Sequence, residues 1–351
     1  MDGERYANQL LRVYDIPFEN RDKIFEGLFS EEGELDLLQP ALTFLVSRFT
    51  SYPGILFAVF ALVFGLLQLK TIYMVYQDTE GHRNKNVIAL LCYLPLLLPI
   101  FSINGFRMWT AAWLFAYGVY NYAYRNKKLY LFVALSAILV HFSFITVSIV
   151  LLIYVFAGNR KWIYTVLASI SFMLSELPLP AIEAYVENFG SGITRKFNSY
   201  TNTKYTKTVE EYKQQAAWFI TLSSVTLKYF FTIAMGSMYF RIGKVKVSKE
   251  FNSLWCVTLL ILTYANLAST VPSGGRFLTV YYILATLLLI IFYAHYYNTR
   301  KLDPIILFGI FPMLLTAAIS TRVGLNTTNI TLLMPSPIIA IFSDNGMPII
   351  K

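Results

Sequence analysis

The sequence predicts an all-α fold: a polytopic membrane helix bundle of about ten membrane segments. Three observations carry this. Of 351 residues, 56% are hydrophobic and only 14% are charged, too few to coat a soluble protein of this size. The apolar residues gather in runs long enough for membrane helices, each needing about 17–25 residues. The basic residues that give the net charge of +9 cluster between those runs, where topology wants them, which demotes nucleic-acid binding. A soluble enzyme, a disulfide-stapled secreted domain and a disordered chain are all excluded. Cys92 and Cys256 both lie in apolar runs and read as lipid-embedded or packed thiols.

Residues 1–50 are expected to form an extracytoplasmic N-terminal segment. It is mostly polar, but 35–49 has the pattern of an amphipathic helix at the membrane interface. The bundle is expected over 51–323. Its apolar runs fall at about 52–76, 86–103, 107–124, 161–178, 216–240, 251–270, 278–297 and 305–321. A polar, Tyr-rich outer loop is expected over 179–215, and an extracytoplasmic tail over 324–351.

The apolar stretch 128–157 fits either one long helix or a short hairpin. Charge decides between them. With a hairpin, the basic residues of the short loops fall on one side: Arg83 and Lys85; Arg125, Lys127 and Lys128; Arg160 and Lys161; Arg241, Lys244, Lys246 and Lys249; Arg300 and Lys301. Only Arg107 and Arg276 are left opposite, as the positive-inside rule prefers. A single helix scatters them over both sides. The hairpin also places both termini outside. Its arms are too short to span about 30 Å of hydrocarbon, so His141 and Ser143 at its tip should lie in an outward-facing pit.

No nucleotide-binding motif, zinc-protease motif or metal-ligand spacing occurs, and no cofactor is expected. Three features remain, all on the predicted outer side. Asn104-Gly-Phe-Arg107 connects two spans; its arginine reads as a clamp for phosphate or carboxylate, or as a side chain snorkelling to headgroups. Val271-Pro-Ser-Gly-Gly-Arg276 reads as an anion-binding nest beside a cation, or as an ordinary turn. His141-Phe-Ser143 reads as a general base beside a hydroxyl, or as a satisfied polar pair. Lys228 falls mid-span, about 18–20 Å from either end, too deep to snorkel. It needs an acidic partner, for which Glu176 is the candidate, or an anionic ligand.

These blocks resemble the EpsG-type, Wzy-like polysaccharide polymerases. The resemblance rests on Gln39-Pro-Ala-Leu42, Ser47-Arg-Phe-Thr50, Phe57-Ala-Val-Phe60 with Phe64-Gly65, Ile103-Asn-Gly-Phe-Arg-Met-Trp-Thr-Ala-Ala112, Ile138-Leu-Val-His-Phe-Ser-Phe144 and Gly275-Arg-Phe277. It covers most of residues 36–277. It implies polymerisation of undecaprenyl-pyrophosphate-linked repeat units into O-antigen or exopolysaccharide, at the periplasmic face of a bacterial inner membrane. It further implies cationic clamps at Arg107 and Arg276, a base at His141, and substrate contacts at Asn104, Ser143, Arg195, Tyr200 and Lys228. The partners it implies are the lipid-linked glycans, membrane lipids, a chain-length regulator and a flippase. Members usually open with a membrane segment, so a chain starting at Met1-Asp-Gly-Glu4 is expected to lack that first span. A membrane O-acyltransferase and a lipid-linked glycan transporter are the alternatives.

Overall fold

The computed structural model describes residues 2–17, 36–174, 211, 217–243 and 245–325. Arg195, Tyr200, Glu176, nearly all of the loop 179–215 and the tail beyond 325 lie outside the described residues.

The chain opens with α1 (Asp2–Tyr14), which the apolar-run reading missed. Its signal is helical spacing rather than a run: Tyr6, Leu10 and Val13 lie on one face and are buried. The helix α2 (Leu38–Ser47) follows, where an amphipathic helix was expected. It buries its polar stripe of Gln39, Thr43 and Ser47, while Leu45 faces outward. The Gln39 amide donates to Gln9 Oε1 at 3.0 Å and to Thr43 Oγ1 at 2.8 Å. Arg48 ties the two helices together by donating to the carbonyls of Val13, in the last turn of α1, and Ile16, just beyond it.

The helix α3 (Pro53–Asp78) starts with proline at its first position, where no N–H is needed. Then come α4 (Lys85–Tyr93), capped by the Asn84 side chain, and α5 (Phe106–Ala123). The hairpin region contains α6 (Tyr130–Leu135), α7 (Ala137–Val140) and α8 (Phe144–Ala157), the last ended by Gly158 at φ 68°. The remaining helices are α9 (Lys161–Ser171), α10 (Trp218–Ile242), α11 (Lys249–Ala268), α12 (Arg276–Ile291) and α13 (Pro304–Leu325). The most buried of these is α12, which sits at the centre with α5 and α11 around it.

Five described helices are long and apolar enough to cross a membrane: α3, α10, α11, α12 with its π-turn to Tyr296, and α13. The bent pair 85–123 makes a sixth if counted as one crossing. The expected ten is therefore not reached by full-length spans. The reason is helix length. With 9 and 11 residues, α4 and α9 reach only about 14 and 17 Å; α8, at about 21 Å, is a short hairpin arm as expected.

Polar contacts gather the basic loops at one end. Arg125 donates to both carboxylate oxygens of Asp78 at 2.9 Å, and Tyr120 donates to one of them at 2.8 Å. Burial works against the Arg125 charge, but Asp78 outweighs it and holds the guanidinium pKa above its ordinary value. Asn84 donates to the Tyr293 carbonyl at 2.7 Å, Asn159 to Ser253 at 3.1 Å, and Arg241 pairs with Asp303.

This end fixes two chain reversals. Asn84 and Arg125 both belong to it, so α4 and α5 form a hairpin rather than a straight crossing. The chain stops being α-helical at Pro95 and Pro99, which cannot donate to a helix ladder. The Gln68 amide meets the carbonyls left over there, donating to Leu98 at 2.8 Å and Pro95 at 3.2 Å. Gln68→Leu is expected to cost about 1–3 kcal/mol, read as an earlier midpoint in detergent-induced unfolding. Residues 130–157 also leave from and return to the basic end, as the charge argument expected. Gly118 makes this possible: a Cβ there would lie 2.4 Å from the backbone nitrogen of Ala134, so α5 and α6 touch backbone to backbone.

Candidate active site

The turn of the 130–157 hairpin holds His141, Phe142 and Ser143 between α7 and α8. It lies about 21 Å above the basic end by the length of α8. The 26 residues of α3 rise about 39 Å from the same end, so the turn is sunk below the opposite rim. All three turn residues are half-buried.

The imidazole geometry is specific. The backbone N–H of Ser143 donates to His141 Nδ1 at 3.1 Å. Nδ1 must therefore carry the lone pair, and a neutral ring has its proton on Nε2. The Ser143 hydroxyl, 2.8 Å from the same nitrogen, then acts as its second donor. A basic nitrogen is thus aimed at a hydroxyl.

Arg107 lies in the first turn of α5 and is joined to this turn by Asp36. Arg107 Nη1 contacts Asp36 Oδ2 at 2.9 Å, and the Phe142 backbone N–H donates to Asp36 Oδ1 at 2.6 Å. The Leu37 N–H donates to the Leu139 carbonyl at 2.7 Å, anchoring the strap that carries the aspartate. The pair is nearly sealed, with side-chain exposures of 14% for Arg107 and 7% for Asp36. Buried Tyr6 of α1 places its ring 5.9 Å from the guanidinium carbon.

Asp36 is the site residue that the sequence reading missed. Nothing local singles it out: it is one of several acids, with Glu31, Glu32 and Glu34, ahead of the first long run. Asn104 is exposed in the 3₁₀ turn before α5.

Arg276 opens α12 from a tightly wound loop. A Cβ on Gly274 would lie 1.8 Å from the Ala268 carbonyl oxygen, so only glycine fits there. Part of the expected anion nest is taken up by the loop itself: the backbone N–H groups of Gly274, Arg276, Phe277 and Leu278 donate to loop carbonyls. The Arg276 guanidinium is exposed and has no side-chain partner among the described residues. The neighbouring Phe277 packs on Phe144 at 6.0 Å and on Tyr264 at 5.0 Å. Thr146 bonds the Tyr264 hydroxyl at 2.5 Å. These edge-on contacts lock the start of α12 to the start of α8, so Arg276 and Ser143 each neighbour, in sequence, one ring of the same aromatic cluster.

Lys228 stands apart on α10. Its Nζ lies 5.4 Å from the Phe172 ring, and it meets no carboxylate among the described residues.

The sequence model of the EpsG family matches residues 11–331. The chain belongs to the EpsG family. EpsG proteins are Wzy-like polysaccharide polymerases, which makes this chain a multi-pass membrane protein of polysaccharide biosynthesis. No curated protein and no solved structure matches it.

Proposed function

We propose that this EpsG-family protein polymerises undecaprenyl-pyrophosphate-linked repeat units into O-antigen or exopolysaccharide, at the periplasmic face of a bacterial inner membrane. The observation that carries the reading is the Asp36 bridge, which ties Arg107 to the His141–Ser143 turn. It sets a cation beside a base–hydroxyl pair, at the end away from the basic loops. The positive-inside rule supports an extracytoplasmic position for that end.

In the proposed reaction, the acceptor sugar hydroxyl attacks the anomeric carbon of the donor glycan. The bond from that carbon to the lipid pyrophosphate breaks as the new glycosidic bond forms. The leaving pyrophosphate gains negative charge, which Arg107 and Arg276 stabilise. The acceptor proton passes to the Ser143 oxygen as the Ser143 proton moves to His141 Nδ1. Asn104, Arg195, Tyr200 and Lys228 are proposed substrate contacts. The donor is already activated, so the step uses neither nucleotide nor metal. A flippase would deliver the repeat units, and a chain-length regulator would act on the product.

Deleting the gene should leave single repeat units on the lipid and no ladder on a glycan gel. An intact ladder lacking only acetyl groups would instead establish an acyltransferase. Arg276→Ala is expected to cut polymer yield at least about 100-fold while the protein still inserts. The helix start is held by Phe277 and Gly274, so this substitution removes charge without loosening the loop.

A further inference from the structure

Two sets of contacts hold the His141–Ser143 turn. One comes from the strap, where Asp36 accepts the Phe142 N–H at 2.6 Å and Leu37 donates to the Leu139 carbonyl at 2.7 Å. The other comes from Tyr264 of α11, a residue that the proposed reaction does not yet use. It stands about 22 Å up α11 from the basic end, level with the turn. Its ring packs edge-on against Phe277 at 5.0 Å, and its hydroxyl meets Thr146 of α8 at 2.5 Å.

Chemistry fixes the direction of these bonds. Thr146 Oγ1 lies 2.8 Å from the Ser143 carbonyl oxygen, and a carbonyl can only accept. The one hydroxyl proton of Thr146 is therefore committed to Ser143. The Tyr264 hydroxyl must then be the donor to Thr146. The result is a one-way chain, from phenol to threonine and from threonine to the Ser143 carbonyl. A threonine often donates to a carbonyl one turn back in its own helix. Two things are particular here. The threonine itself receives a proton from a helix far off in sequence, and the carbonyl belongs to the residue whose hydroxyl lies 2.8 Å from His141 Nδ1.

We propose that Tyr264 is a positioning residue for Ser143 and acts through Thr146. The inference rests on the polymerase reading and deepens it. In that reaction the Ser143 oxygen takes the acceptor proton while its own proton passes to Nδ1, so it must stay within hydrogen-bond reach of both. Ser143 opens α8, and the backbone just before it leaves the helical region at His141, with φ −148° and ψ 117°. No preceding helical turn therefore holds Ser143 in place. Apolar packing of Phe144, Phe277 and Tyr264 sets the spacing of the helices, but a hydrogen-bond chain sets direction as well. A misplacement of about 1 Å at a reacting group costs on the order of 100-fold in rate, and a partial loosening costs less.

The full chain in nanodiscs is assayed with lipid-linked repeat units isolated from a strain that lacks the gene, and kcat and KM are read from the polymer formed. Tyr264→Phe keeps the ring and its packing on Phe277, and Thr146→Val keeps the shape but loses the hydroxyl. Each is expected to lower kcat about tenfold, with KM within about twofold and the melting temperature nearly unchanged. Thr146→Ser restores the hydroxyl and should keep most of the rate. The double variant should be no worse than either single one, because both cut the same chain. A second readout needs no turnover. The protein has three histidines, so isotope labelling of their ring nitrogens gives three sets of magnetic-resonance signals, and His141→Gln identifies one. The His141 Nδ1 signal should move in Tyr264→Phe and Thr146→Val but not in Thr146→Ser. Unchanged kcat in Tyr264→Phe overturns the inference. So do a raised KM at constant kcat and losses that multiply to about 100-fold in the double variant, since both mean that Tyr264 acts on the substrate itself. A melting temperature that falls in step with the rate, without rescue by Thr146→Ser, overturns it in favour of a packing role. If deletion leaves the glycan ladder intact while the His141 signal still moves, the polymerase reading falls alone. A ladder lost on deletion, with kcat and the His141 signal indifferent to Tyr264, overturns the positioning role alone.

Discussion

Arg107→Ala is expected to abolish the glycan ladder and to destabilise the protein as well. The two losses have different origins and can be separated. Truncating Arg107 leaves the Asp36 carboxylate buried without its counter-charge, at a cost of about 3–5 kcal/mol. It also removes a planar donor fork from beside the His141–Ser143 turn. The double variant Arg107→Ala with Asp36→Ala removes both charges. It should regain most of the thermal stability, since paired buried charges give little net stabilisation over neutral groups. It should regain none of the polymer, because the clamp is still missing. Arg107→Lys keeps the charge and loses the fork, and is expected to leave a weak, short-chain ladder. Full-length glycan from the double variant would reject a catalytic role for Arg107 and reduce the pair to a structural tie.

Gly118→Ala carries the second large effect. In an exposed helix this change would gain about 1 kcal/mol from helix propensity. Here the new methyl carbon would lie 2.4 Å from the Ala134 nitrogen and 2.7 Å from its Cα. These are backbone atoms and cannot rotate away, so α6 must shift as a body. Overpacking of this kind costs about 1–3 kcal/mol and more when backbone is involved, so the clash wins. The hairpin tip moves with α6, and the His141 turn should come off Asp36. A lower melting temperature in detergent and a loss of ladder are expected together. Gly65→Ala and Gly236→Ala are the controls: a Cβ at either meets nothing within 4 Å, and both should be neutral or slightly stabilising. If Gly118→Ala behaves like its controls, α5 and α6 are not in backbone contact.

Much of this site could be read from the sequence. The hairpin 128–157 followed from where the basic residues fall, because charge bias is a local property of short loops. Arg107 and Arg276 stood out as cations in the wrong loops, and His141 as a polar residue at a turn. Asp36 could not be read. Its partners are 71 and 106 residues away in sequence, and one acid ahead of a span has no local pattern that names them. The number of full-length crossings was not legible for a related reason. A run of apolar residues shows that a segment is buried in something, but not whether lipid or protein surrounds it, so half-depth arms such as α4 and α9 were read as full crossings.

Composition and charge by themselves determined the class of molecule, its helical character, the relative sidedness of its loops and the cations worth suspecting. These depend on water-to-lipid transfer and on loop charge, which sum over neighbours along the chain. Only the tertiary structure decided which acid holds Arg107, which nitrogen of His141 carries the lone pair, and that Phe277, next to Arg276, packs on Phe144 beside the histidine turn. Those are matters of a few ångströms between distant segments. They are set by close packing at positions such as Gly118 and Gly274, and packing is not additive along a sequence.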